Sequence, residues 1–515
     1  MLAFLKTKKA IFGFFFLYFV LGCLIFRDYG ISWDDQLSRL NGVMAYDYVA
    51  GENSSLLNYV DRDYGTAFEL PLVFVEKAFH ITSSQKTFFM RHFLTFVLFF
   101  VGTVFFYRIA RKRFGKFIGF LGLFFLILSP RIFADSFYNS KDIALLSVIT
   151  IAVFTLKYLL EKPTWRRALL HGLICALVVD IRMPGIFILG LTFGFLVLDT
   201  LFLKRERWKL MLKISLIFFG FFCLFTVIFW PYLWSNPFGN FFQSFESLSR
   251  FNRWDDTVLY FGKFIRVTKE LPWHYSLVWI SITTPLTYLV LFLIGVGVTI
   301  WRLIRKPLTF YKNHRDDFIF FSWFFLPLAS VIILKSVLYD GWRQLYFIYP
   351  ALLLIALIGV EFLWNWLRKI KQGILIGGII LVLAVVELEG VLFFMIVYHP
   401  YQNLYFNNLV GGMKNAKKNF ELDYWGLTFR KGLEYIAAND KSSEISVYFS
   451  QGSQGNIDIL PSEERIRFTP LAEPKGAKYI LTNYRWHPQD YSETYDKVYE
   501  TKIDGTAVMS VYKFY

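Results

Sequence analysis

The run IFGFFFLYFVLGCLIF (residues 11–26) passes directly into RDYGISWDDQ (residues 27–36). The first part carries no charge. The second holds Arg27, Asp28, Asp34 and Asp35 around a glycine and two aromatics. An apolar run that stops at a cluster of charges reads as a membrane span reaching its polar boundary. Moving outward, the pattern repeats. Eleven apolar blocks lie at 11–26, 88–107, 117–129, 143–160, 168–180, 186–203, 214–232, 277–300, 318–334, 345–366 and 374–397. Two of them, 117–129 and 168–180, are short for a span of about 20 residues, so their ends should reach into the flanking loops. Composition agrees. Of 515 residues, 56% are hydrophobic and only 18% charged, where soluble domains carry about a quarter. A soluble multi-domain enzyme, a disordered chain, a fibrous repeat and a disulfide scaffold are excluded. The expectation is a polytopic α-helical membrane protein of eleven spans with a small C-terminal extracytoplasmic α/β domain.

Charge gives the sidedness. Residues 398–515 hold 14 Lys+Arg and 14 Asp+Glu, so the whole excess of +16 lies before them. It sits in alternate short loops: Lys6/Lys8/Lys9, Arg108–Lys116, Lys162/Arg166/Arg167, Lys204–Lys213, Arg302–Arg315 and Arg368–Lys371. Such loops face the cytoplasm. The amino terminus is then inside, and an odd number of spans puts residues 398–515 outside, as in a multi-pass protein of a plasma (bacterial inner) membrane. The start also has the look of a secretory or lipoprotein signal ending at Val20-Leu21-Gly22-Cys23. The apolar run continues past Cys23 to Phe26, which favours a retained first span. Cys23, Cys175 and Cys223 all lie in apolar blocks and read as small core residues.

The loops on the outer side are the polar ones. After Asp34-Asp35, stripes at Leu37, Leu40, Met44, Tyr48 and at Tyr64, Phe68, Leu72, Val75, Phe79 predict amphipathic helices in the interface plane. An acid pair at a span end can equally be a helix cap. The next loop, 130–142, packs Arg131, Asp135, Tyr138, Asn139, Lys141 and Asp142 into a short space. Asp180-Ile181-Arg182-Met183-Pro184, Pro272-Trp273-His274-Tyr275 and Lys335 to Gln344 follow. Together they place Arg131, Lys141, Arg182, Lys335 and Arg343 on the same side as the acids. Five cations beside a pair of acids suit an anionic lipid phosphate and a general base. A carrier would instead put its charges at mid-membrane.

These loops resemble the GT-C class of integral-membrane glycosyltransferases, and more narrowly the glycosyltransferase family 39-like proteins. Those are related to the protein mannosyltransferases and the lipid A aminoarabinose transferases. The resemblance rests on Asp34-Asp35 after the first span and on Pro-Arg…Asn-x-Lys-Asp at 130–142. It rests also on Pro-Trp-His-Tyr…Thr-Pro at 272–285 and Tyr-Asp-Gly-x-Arg at 339–343 before Pro350. His399-Pro400-Tyr401-Gln402 and Asp423-Tyr424-Trp425-Gly426 are also similar to bacterial members. Asp35 stands where the family has Glu, and Gln344 where it has His.

The resemblance implies an inverting transfer of a sugar from a polyprenyl-phosphate-linked donor to an acceptor hydroxyl on a glycan, lipid or protein. Asp34 would be the base, with Asp35 orienting it or the acceptor, and Asp142 and Asp135 the further candidate acids. Lys141, Arg131, Arg182, Arg343 and Lys335 would hold the phosphate. Trp33, Tyr138, Asn139, His274, Tyr275, Tyr339 and Asp340 would line the acceptor or sugar pocket. No cofactor is expected to be required and no metal-ligand spacing is present, although some of the wider class use a divalent metal. No nucleic-acid partner is implied. Two other readings stay open: a lipid or glycolipid flippase, and a glycan ligase or polymerase using a diphosphate-linked donor.

Beyond residue 397 the pattern changes. Residues 398–429 read as a docking linker and 430–515 as the α/β domain. A helix is expected at Arg430–Ala438, with strands at 445–449, 465–468, 478–481, 497–503 and 508–515. Asp504-Gly505 marks a hairpin.

Overall fold

The structure, a computed structural model, describes residues 8–249, 253–450, 454–491 and 495–514. Lys6 and Tyr515, used above, lie outside the described residues. Helix covers every apolar block. Among the described residues, eight helical segments can cross a membrane by length and composition: Ser84–Ile127, Asp142–Glu161, Met183–Phe202, Arg205–Phe229, Leu286–Arg305, Pro307–Ile333, Arg343–Leu367 and Gly373–Val397. The chain is a multi-pass membrane protein. The first and fifth blocks fall on the shorter helices Lys8–Ile25 and Trp165–Ile181. The last span exposes Ile374, Leu381, Val382 and Phe393 on a surface suited to lipid. Cys175 is buried as expected, but Cys223 is exposed on the bundle's flank.

The helices depart from the apolar blocks in two places. The expected loop at 108–116 is helical, and blocks 88–107 and 117–129 become two limbs of Ser84–Ile127. The chain reverses at Gly115, whose φ of 84° is one that residues with a Cβ rarely adopt. Block 277–300 is split into Tyr275–Thr283 and Leu286–Arg305 by Thr284-Pro285, because proline cannot continue the helical hydrogen bonds. The groups freed by the break are satisfied from elsewhere. Asn407 Nδ2 donates to the carbonyls of Ser281 and Thr284, at 2.6 and 2.7 Å. The Leu286 N–H donates to Glu387 Oε1 at 2.9 Å. Glu387, one of the few charges within a span, therefore terminates backbone that would otherwise lie bare in an apolar medium.

The basic loops gather at one end of the bundle. There Arg113 pairs with Asp317 and Glu361, Lys157 with Asp316, and Arg315 and Lys204 with Asp199. The other end carries the helix Trp33–Ala50, which holds the first stripe, and Glu69–Ala78, which holds Leu72 and Val75 of the second while Tyr64 stays in the loop before it. It also carries the unforeseen helix Pro237–Ser249 and a two-stranded hairpin, β1 (Thr257–Tyr260) and β2 (Lys263–Arg266).

The C-terminal domain packs the helix Phe429–Asn439 on a five-stranded sheet. Its strands are β3 (Ile445–Phe449), β4 (Phe468–Leu471), β5 (Tyr479–Thr482), β6 (Asp496–Ile503) and β7 (Thr506–Lys513), in the order β4-β3-β5-β7-β6. β4 and β5 lie parallel to β3, while β7 is antiparallel to β5 and β6. Asp504 (φ 46°) and Gly505 (φ 69°) turn the β6–β7 hairpin as expected. The expected strand at 465–468 is instead a short helix, Ser462–Arg465, and the strand begins only at Phe468. Its run of charges suits a solvated turn better than a sheet edge.

Candidate active site

The acid pair opens the helix Trp33–Ala50, and its two members do different things. Asp35 is the cap. Its Oδ2 accepts from the Ser32 N–H (3.2 Å) and the Ser32 hydroxyl (3.1 Å), closing a capping box on the first turn. Asp35 is buried, and His92 Nε2 lies 3.8 Å from the same oxygen. Asp34, one residue earlier, points the other way. Its Oδ2 accepts from Arg343 Nη1 at 3.0 Å, and its side chain keeps 24% exposure.

Arg343 is the hub. It is buried, and its Nη1 also lies 3.3 Å from Asp142 Oδ2, while Nη2 donates to Asp340 Oδ2 at 3.1 Å. Its guanidinium lies over Trp425 (4.5 Å) and Tyr339 (5.1 Å). A guanidinium offers five N–H donors in a rigid planar fork, which lets Arg343 serve three carboxylates in fixed directions. Asp142, at the start of the helix Asp142–Glu161, has its other oxygen on Arg182 Nη1. Asn139 bridges the acids: its Nδ2 donates to Asp135 Oδ1 (2.9 Å) and Asp142 Oδ2 (3.1 Å). Asp135 is fully buried and also accepts from Tyr138 (3.3 Å).

Burial alone would raise the Asp34 carboxyl, but Arg343, Lys141 and Arg182 outweigh it and hold it below the usual carboxylate range. Asp135 goes the other way. Burial pushes it up to about 6, against the pull of Asn139 and Arg131. The two acids of the cluster are thus shifted in opposite directions, and Asp135 takes up a proton at a higher pH than Asp34.

Asp34 and Asp35 line a narrow cleft with Ser32, Ser38, Tyr138, Asn139, Ser140 and Lys141. A second pocket shares Ser140 and Lys141 with it and has room for about one water. Asn41, Tyr64, Gly65, Phe68, Glu69 and Ile181 form its remaining walls. Gly65 is needed there: a Cβ would fall 1.3 Å from the Asp180 carbonyl oxygen. That close approach pins the Tyr64 loop to the end of Trp165–Ile181, just before Arg182. Lys141 lies over the Tyr64 ring at 4.9 Å and, among the described residues, makes no ion pair.

Three of the five expected cations therefore meet Asp34, and two do not. Arg131 is buried between Phe406 and Trp279 and donates to the Tyr405 carbonyl (3.1 Å). Lys335 is exposed beyond the end of Pro307–Ile333 and pairs with none of the acids. Of the expected pocket residues, Tyr138, Asn139, Tyr339 and Asp340 join the cluster. Tyr275 accepts from the Gly341 N–H (3.2 Å) and so shapes the turn before Arg343. His274 pairs instead with Tyr260 of the hairpin (2.7 Å). The Trp33 side chain is 41% exposed. Gln344 donates to the Tyr339 carbonyl (2.9 Å), closing the turn. Among the described residues no three of His, Cys, Asp and Glu converge as a metal site.

The sequence reading missed the C-terminal contribution. Asn456 makes two hydrogen bonds to the Ile31 backbone, both at 2.9 Å. The Trp33 N–H donates to the Trp425 carbonyl (3.1 Å). Arg485 reaches Asp340, and from outside the C-terminal domain Trp254, just before β1, stacks on Tyr339. The one available signal was the polar and aromatic run Asn483-Tyr484-Arg485-Trp486-His487-Pro488 in an otherwise β-rich segment.

With this geometry in hand, the likenesses to known proteins can be read. A family described as dolichyl-phosphate-mannose-protein mannosyltransferase matches residues 75–230. Among solved structures, ArnT from Cupriavidus metallidurans in the apo state gives a TM-score of 0.51 at 14% identity, over 92% of this chain and 93% of that one. Its undecaprenyl phosphate-bound form gives 0.51 at 13% identity, over 98% of both chains. The apo Archaeoglobus fulgidus oligosaccharyltransferase gives 0.51 at 11% identity, over 90% of this chain and 65% of that one. No curated protein sequence matches significantly. The chain therefore shares the fold of the ArnT and oligosaccharyltransferase structures, and its residues 75–230 are similar to the mannosyltransferase family.

Proposed function

We propose that this protein is an inverting glycosyltransferase. It moves a sugar from a polyprenyl-phosphate-linked donor to an acceptor hydroxyl at the outer face of the membrane. The observation that carries this reading is one carboxylate held in its ionised form, Asp34, facing a cleft that also holds Lys141, which makes no ion pair among the described residues. The likeness to a protein solved with undecaprenyl phosphate supports the choice of lipid.

Asp34 accepts the proton of the acceptor hydroxyl as that oxygen attacks the anomeric carbon. The bond to the phosphate oxygen breaks on the opposite face, through a transition state with oxocarbenium character. The leaving phosphate gains charge, and Lys141 with the Arg343 and Arg182 guanidinium groups stabilises it. Arg343 has to lie beside Asp34 and the departing phosphate at once, so its placement bears on the rate.

The positive-inside rule puts the basic end of the bundle, and the amino terminus, in the cytoplasm of a bacterial inner membrane. The Asp34 cluster and the β-sheet domain then lie outside. Residues 1–397 form the catalytic membrane module, 398–429 the linker and 430–515 the outer domain.

The test is direct. Full-length protein in detergent is given polyprenyl-phosphate-linked sugars and a glycolipid extract, and released polyprenyl phosphate is measured by mass spectrometry. Release is expected from the wild type and not from Asp34→Asn. Retained turnover in that variant would remove Asp34 as the base. Lipid movement across vesicles without any new glycosidic bond would establish a flippase instead.

A further inference from the structure

Arg343 is shared by three carboxylates, and the one nearest in sequence is not offered to it alone. Asp340 Oδ2 faces Arg343 Nη2 at 3.1 Å, while Asp340 Oδ1 accepts from Arg485 Nη2 at 2.6 Å. Arg485 comes from the C-terminal domain, just after β5. Its guanidinium is buried, donates to the Tyr424 carbonyl (3.2 Å), and lies 3.3 Å from Glu421 Oε1 through Nε.

The backbone on both sides of this contact is held in an unfavourable conformation. Tyr484 (φ 60°) and Trp486 (φ 64°) flank Arg485, and Asp340 itself has φ 55°. Side-chain-bearing residues keep such angles only where the surroundings over-determine them, and such positions gather at working sites. The surroundings here are specific. The Tyr484 hydroxyl sits 2.6 Å from Ser510 Oγ, and Trp486 Nε1 donates to the Thr257 carbonyl at 2.8 Å. The result is a guanidinium delivered across a domain boundary onto one carboxylate. Burial keeps the Glu421 carboxyl above its usual range, so the charge of Arg485 falls mainly on Asp340.

We propose that Arg485 is a positioning residue for the transfer reaction: by holding Asp340 it keeps the Arg343 guanidinium against Asp34. This rests on the roles given above to Asp34 and Arg343. Without Arg485, Asp340 has only Arg343 to answer its charge. It then draws the fork away from Asp34 and Asp142, and a displacement of about 1 Å at such a group can cost up to about a hundredfold in rate. The C-terminal domain is thus part of the site and not only a cover.

The experiment measures kcat and donor KM in full-length wild type, Arg485→Met, Arg485→Lys and the double variant Asp340→Asn/Arg485→Met. Dolichyl-phosphate mannose and undecaprenyl-phosphate aminoarabinose serve as donor probes. The Met variant should lose about tenfold or more in kcat, with KM within about twofold. The Lys variant should keep most of the rate. The double variant should be faster than Arg485→Met alone, because the unanswered acid is gone; a merely structural role would make it slower. Arg485→Met at the wild-type rate, or a double variant no faster than it, overturns the inference and leaves the proposed function standing. A wild type that transfers no sugar removes both.

Discussion

Arg343 Nη1 and Asp34 Oδ2 meet at 3.0 Å although 309 positions separate them in the chain. The contact joins the loop after the first span to the loop before the helix Tyr349–Leu367. It puts the candidate base and the most shared cation of the site in one pair. Truncating Arg343 would leave Asp142 and Asp340 buried with their charge under-compensated, which typically costs about 3–5 kcal/mol. Arg343→Met should therefore lower the melting temperature and abolish turnover. Arg343→Lys should restore part of the stability and little of the activity. Thermal melting in detergent alongside polyprenyl phosphate release checks both.

Lys141 is the cation that can be removed at little structural cost. It makes no ion pair among the described residues, so Lys141→Met should change stability by under about 1 kcal/mol. Its charge also helps hold Asp34 ionised. The substitution should raise donor KM and move the acid limb of the pH–rate profile to higher pH, since less positive charge opposes the effect of burial. A profile that does not move would disconnect Lys141 from Asp34.

Asp135 gives stability a pH signature. Its carboxyl is pushed from 3.8 up to about 6 by burial, so the folded state binds its proton more tightly than the unfolded one. Its contribution is fully present below pH 3.8 and is lost as pH rises through about 6. The difference is on the order of 3 kcal/mol. Asp135→Asn should flatten the dependence of melting temperature on pH between about 4 and 6. Melting curves at four pH values across that window decide it.

The break at Thr284-Pro285 makes a prediction away from the chemistry. Asn407 covers two freed carbonyls. Asn407→Ala should cost about 1–3 kcal/mol per buried group left bare. Because Asn407 touches none of the acids, the loss should show in melting temperature more than in kcat.

Much of this was readable in the residues. The run 11–26 and its polar boundary, the basic loops, the two amphipathic stripes and the Asp504-Gly505 hairpin are local patterns, and local patterns survive folding. Asp34, Asp142, Lys141, Arg182 and Arg343 could be gathered as candidates because alternate loops must share one end of a bundle. Arg131 and Lys335 met the same criterion, yet one packs under aromatics and the other faces outward. Sidedness places a residue on a surface and says nothing about its direction. Asp35 looked like a second chemical acid because a capping box and an acid pair share the same spelling. Gly115 and Pro285 re-cut the blocks by backbone rules that hydropathy alone does not see. The partners of Asn456 and Arg485 were invisible for a different reason. They lie 425 and 145 positions away, and no periodicity records such contacts.

The paired hydrogen bonds of Ile31 with Asn456 span 425 positions. The loop that presents Asp34 is made well before the residue that fastens it. A chain synthesised only through its last span can have inserted its helices and still lack that fastening. Synthesis itself therefore works as a safety catch, leaving the Asp34 cluster unassembled until the segment around Asn456 has emerged and docked.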